Sequence, residues 1–160
     1  MQADYINPIY RAAGDVLKKM FDLEVTRGEM EIRDNFVATK KANISIGITG
    51  DLEGTVLFSF SQAIGLEIVE DMAGMEMEEL NKFVTSAIGE LANIISGNAI
   101  SNFQDESKYN CDLVPPQIII GKSKTISTAS EKVLFLPLKT EMGEFDLNIS
   151  ISASKEDDNQ

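Results

Sequence analysis

A chain of 160 residues with a single cysteine, Cys111, is long enough for one domain with its own core, and it has no internal disulfide framework. The absence of histidine excludes Ser-His-Asp and Cys-His nucleophiles and His-ligated zinc, leaving carboxylates, amides, hydroxyls, Lys and Arg for any chemistry. A net charge of −12, from 26 Asp+Glu against 14 Lys+Arg with no basic cluster, makes nucleic acid a poor partner.

Asp4 to Phe21 reads as a first helix, with Asn7-Pro8 in its opening turn and Tyr5, Ile9, Ala12, Val16 and Met20 as its apolar stripe. Leu23 to Thr26 is a short strand candidate and Arg27-Gly28-Glu29 a turn. Ala42 to Thr49 alternates, with Ile44, Ile46 and Ile48 on one side. Gly50-Asp51-Leu52-Glu53 then leads into Gly54 to Phe60, which predicts an antiparallel hairpin. Ser61 offers an N-cap for a short helix that Gly74 ends, and Met72, Met75 and Met77 cluster as core filler before the next element.

A long helix is predicted from about Met77 to Phe103, because Leu80, Val84, Ile88, Leu91, Ile95 and Ala99 recur at three- and four-residue steps. Ser86, Glu90, Asn93, Gly97 and Ser101 fall on the opposite side, polar but short-chained. A polar stripe is what any surface helix shows, and Glu-x-x-Asn recurs at Glu78 and Asn81, a helix-start position. The longer pattern is more informative, since Gly89 and Gly97 each cost a helix roughly 1 kcal/mol relative to alanine. Two such residues imply that something approaches the helix closely.

Gln104 to Asn110 reads as a polar loop, and Val114-Pro115-Pro116 forces an extended entry into the strand Gln117 to Gly121. Val133 to Lys139 and Phe145 to Ala153 are two further strands around the turn Thr140-Glu141-Met142-Gly143, with Pro137 marking an edge or a bulge. Residues 1–153 are expected to form one domain and 154–160 a disordered acidic tail. No apolar run approaches the ~20 residues that span a bilayer, and the N-terminus lacks a signal peptide's basic and apolar regions. A cytoplasmic protein with no membrane partner is therefore expected. Each half runs helix, short strand and hairpin, and sliding the long helix back 83 positions puts Gly97 on Gly14, Glu90 on Asn7 and Asn93 on Tyr10.

Ile46-Gly47-Ile48-Thr49-Gly50 leading into Glu53-Gly54 and Phe58-Ser59-Phe60 resembles the first hairpin of the CheC/CheX/FliY family of chemotaxis phosphatases. Ser86-Ala87-Ile88-Gly89-Glu90-Leu91 with Asn93 and Gly97 resembles that family's signature helix, and Asp112, Pro115-Pro116 and Phe145-Asp146-Leu147 also match. The likeness runs over roughly residues 3 to 153. It implies an α/β (α+β) fold: an antiparallel sheet, two long helices on one face, and a pseudo-two-fold repeat of helix-strand-hairpin units. CheC-type members carry the Glu/Asn pair on both long helices and CheX-type members on one; Asn7 and Tyr10 match the one-site, CheX-type pattern, which also implies a homodimer.

By the same resemblance, the catalytic pair falls on Glu90 and Asn93, and the substrate is the phospho-aspartate of a CheY-type response regulator. Ser86, Gly97 and Ser101 would line the contact. The divalent ion, Mg²⁺, would belong to the regulator, with no cofactor or metal ligand in this chain. An amide is too weak a base to take a proton, so Asn93 would orient a water while Glu90 pairs with the regulator's lysine. The alternative is a non-catalytic module of the same fold, a regulator-binding or flagellar-switch scaffold component.

Overall fold

The computed structural model describes residues 3–121 and 125–154, with side chains at 5–121 and 132–154. The elements in order are α1 (Ala3–Phe21), β1 (Thr26–Arg27), β2 (Glu31–Val37), β3 (Ala42–Gly50), β4 (Leu52–Phe60), α2 (Gln62–Ala73), α3 (Lys82–Ser107), β5 (Cys111–Leu113), β6 (Gln117–Ile120), β7 (Thr125–Thr140) and β8 (Gly143–Ala153). The eight strands form one sheet in the order β1-β7-β8-β4-β3-β5, with β2 also on β7 and β6 also on β3. All these pairings are antiparallel.

Alternation along the strands decides which face is dry. Ile44, Ile46 and Ile48 of β3, Phe58 and Phe60 of β4, Leu147 and Ile149 of β8, and Leu136 and Leu138 of β7 join one cluster with residues from all three helices. The helices therefore share one face of the sheet, as the family resemblance implies. The rings of Phe60 and Phe145 stack there with centroids 5.0 Å apart. The other face buries a small second apolar cluster, Phe36, Leu57 and Val133, beside polar pairs. Ser59 donates to Asn43 Oδ1 at 2.6 Å, and Thr39 donates to Asp146 at 2.8 Å.

Several boundaries differ from the sequence reading. In α1, Pro8 lies in the second turn, not the opening one, because the helix begins at Ala3; the carbonyl of Asp4 loses its intrahelical donor. The α1 core face is Ile6, Ile9, Ala12, Ala13, Val16 and Leu17, while Met20 is exposed. Asp22, at φ 54°, closes the helix with Leu23 N–H donating to Leu17 O, so the strand expected over Leu23–Thr26 shrinks to Thr26–Arg27. β2 was not foreseen: Glu-Ile-Arg-Asp-Asn-Phe-Val has only Phe36 buried and no alternation to read. β3 and β4 run one and two residues further than expected, leaving Asp51 alone between them. Gly50 permits that turn at φ 107°, where a Cβ would stand 2.5 Å from Asn110 O.

The short helix is as expected, with Ser61 accepting from Ile64 N–H and Gly74 in the left-handed region. The long helix is displaced. Asn81 caps it by accepting from Val84 N–H, so 77–81 precede it, and it continues through Ser107 where a loop was expected. Met75 is exposed, whereas Met72 and Met77 pack against the core. Pro115 and Pro116 fall in the gap between β5 and β6 along β3, where Val114 N–H donates to Gly47 O. Pro137 sits opposite the irregular stretch between β1 and β2, its carbonyl accepting from Gly28 N–H at 2.8 Å. Ser154, expected in the tail, is instead buried and donates to Asp51 O and Glu53; residues 155–160 of the expected tail lie outside the described residues.

Candidate functional site

α3 is anchored by its inner face. Val84, Ile88, Leu91, Ala92, Ile95, Ala99 and Phe103 are all buried to 1% exposure or less, which fixes the rotation of the helix about its axis. Leu80 precedes the helix and is only partly buried. With the inner face fixed, the outer stripe has no freedom to choose its direction. Ser86, Glu90 and Ser101 are exposed, and Asn93 and Gly97 are half-buried. The five residues predicted from spacing thus lie together on the solvent side of one rigid helix, along about 22 Å at 1.5 Å per residue.

Among the described residues, neither the Glu90 carboxylate nor the Asn93 amide has a side-chain hydrogen bond or ion pair. The neighbours are partnered locally: Ser101 donates to Gly97 O at 3.2 Å, and Asn98 to Ile94 O at 3.2 Å. The two glycines differ. Gly89 is buried beneath Ile118 of β6, whose Cδ1 would lie 3.7 Å from an added Cβ, so the approach there comes from the chain itself. Gly97 has nothing within 4 Å of that position and faces open space.

Two features at the ends of the stripe escaped the sequence reading. Phe83, three residues before Ser86, is 52% exposed at the N-terminal end. At the other end, Ser101, Gln104 and Asp105 of α3 and Cys111 and Asp112 of β5 line an open cavity of about 520 Å³. The stripe's three- and four-residue steps, carried beyond Ser101 through the last turn of the helix, reach Gln104 and Asp105. The Cys111 thiol is pushed up, first by burial and then by the charges of Asp51 and Asp112. Among the described residues no group of three His, Cys, Asp or Glu side chains is placed to hold a metal ion, and no helix is long and apolar enough to cross a membrane.

A family model, chemotaxis phosphatase CheX, matches residues 43–139, a stretch that contains all of α3. The chain belongs to the CheX family. The CheY-P phosphatase CheX of Thermotoga maritima is 28% identical over 155 residues, covering 96% of this chain and 99% of that one. A CheC-like superfamily protein from Shewanella sp. PV-4 has the same fold, with a TM-score of 0.84 at 27% identity over 96% of this chain and 100% of that one. The CheX of a CheX-CheY-BeF₃-Mg²⁺ complex from Borrelia burgdorferi also shares the fold, with a TM-score of 0.75 and 23% identity over 94% and 99% of the two chains. CheX membership therefore agrees with the motif carried by α3.

Proposed function

We propose that this chain hydrolyses the phospho-aspartate of a CheY-type response regulator, with Glu90 and Asn93 completing an active centre that the regulator largely supplies. The observation that carries this reading is an unpartnered carboxylate and amide, one turn apart, on the outward face of a helix fixed by its core. An acyl phosphate is already activated, so its hydrolysis requires chiefly a water held in line with the leaving carboxylate. Asn93 Oδ1 accepts a hydrogen bond from that water while Nδ2 donates to a neighbouring oxygen; orientation is its role, because an amide does not take up the proton. Glu90 pairs with the regulator's active-site lysine and sets the register of the helix on the regulator. The Mg²⁺ belongs to the regulator, in keeping with the Borrelia complex. Ser86, Gly97 and Ser101 form the contact around the pair.

We also propose a homodimer in the cytoplasm. Among the described residues β2 pairs only with β7, and Ile32 on it is 70% exposed, so its outer edge is available to a second copy. The test of the central reading is phosphate release from a phosphorylated CheY-type regulator by the parent and by Asn93→Ala. Loss of release with an unchanged melting temperature supports it, and undiminished release removes Asn93 from the mechanism.

A further inference from the structure

We infer that the cavity at the C-terminal end of α3 receives a lysine or arginine side chain of the response regulator, a second cation-recognition point beyond Glu90. The inference rests on the regulator being the partner, and it adds where specificity among regulators is read.

The cavity continues the docking face. Ser101 belongs both to the outward stripe and to the cavity wall, eight residues beyond Asn93, or about 12 Å along the helix. Its chemistry is that of a cation acceptor. Asp105 and Asp112 line it, and among the described residues neither forms an ion pair. Gln104 lines the same cavity, and among the described residues its Oε1 is a buried acceptor without a donor. The last-turn carbonyls of α3 add the negative end of the helix dipole. The carboxylate charges that help to push up the Cys111 thiol show the same field at the cavity wall.

The lining does not bring three metal-ligating side chains together, so a bare divalent ion is a poor occupant. A long side chain with several N–H donors suits the acceptors present: two carboxylates and the Gln104 amide oxygen. The chain's acidity favours such a partner as well, with a net charge of −12 against which a basic patch on the regulator would be drawn.

Cys111, the only cysteine, makes the test direct because it lines the cavity. Labelling of Cys111 by N-ethylmaleimide is followed by mass, with and without saturating CheY-type regulator carrying beryllofluoride and Mg²⁺. Bound regulator should slow labelling about tenfold, while Asp105→Asn/Asp112→Asn should raise KM for the phosphorylated regulator about tenfold with kcat unchanged. The double variant removes two unpaired like charges, so its melting temperature should not fall. Asn93→Ala should keep the protection and lose turnover. Unprotected Cys111 in the complex, or an unchanged KM in the double variant, overturns the cavity proposal and leaves the phosphatase reading standing. Turnover retained by Asn93→Ala, with Cys111 still protected, overturns the catalytic reading and leaves the cavity in place. A parent protein that neither binds nor dephosphorylates the regulator overturns both.

Discussion

Ile118 of β6 lies across Gly89 of α3, its Cδ1 3.7 Å from where a β-carbon on that glycine would stand. That distance is ordinary contact, so an alanine fits, whereas Gly97 two turns on faces open space. Both Gly89→Ala and Gly97→Ala should therefore stabilise the free protein, each by up to about 1 kcal/mol. Only Gly97→Ala should weaken regulator binding, because only that methyl stands on the docking face. Thermal melts and KM measured for the pair separate the two roles; equal kinetics in both variants would remove Gly97 from the contact.

The pair on the outer face should divide in its kinetics. Asn93→Ala is expected to lower kcat by about 100-fold or more, the scale of a misplaced reactant, with regulator affinity little changed. Glu90→Ala should weaken binding and turnover together, and its defect should shrink as salt screens the lost ion pair in the parent. Single-turnover phosphate release over a range of ionic strength checks both.

Phe83 stands 52% exposed at the N-terminal end of the stripe, outside the main core cluster. Truncation to alanine should leave the melting temperature within a degree or two. It should raise KM by about fivefold or more if the ring is buried by the regulator, as exposed aromatics at contact centres commonly are. An unchanged KM would place the edge of the contact short of Phe83.

Asn81 sets where α3 begins, its Oδ1 accepting from Val84 N–H at 2.9 Å. Loss of that cap in Asn81→Ala should cost about 1 kcal/mol of stability, read by denaturant titration. Turnover at saturating regulator should persist, because the buried face from Val84 to Phe103 still fixes the helix.

The outer edge of β2 gives a test of assembly. Ile32→Asp places a charge on a 70% exposed apolar position without disturbing the core. Sedimentation should show the parent as a dimer and the variant shifted toward monomer; a variant that stays dimeric moves the interface elsewhere.

How much of this was legible depended on periodicity. The inner and outer stripes of α3 were readable because each repeats over several turns, and the hairpins of β3–β4 and β7–β8 because alternation and glycine turns coincide. β2 was not readable, since Glu31–Val37 buries one residue and its partner is the far end of β7, a pairing that no local pattern encodes. The last turn of α3 was hidden for a related reason. Gln104 to Ser107 are polar, and what keeps them helical is Phe103 beneath them and Lys108 in the left-handed conformation after them. The cavity beside that end joins α3 to β5 and exists only in three dimensions.

Pro115 and Pro116 interrupt the outer border of the sheet between β5 and β6, where neither imide has a hydrogen to offer an incoming strand. That interrupted border is a poorer template for an incoming strand than the outer edge of β2. Pairing confined to the β2 side would close two copies into a dimer and leave little from which to propagate. By interrupting that border the prolines disfavour growth of the sheet from copy to copy, far from the helix where the chemistry is proposed to occur.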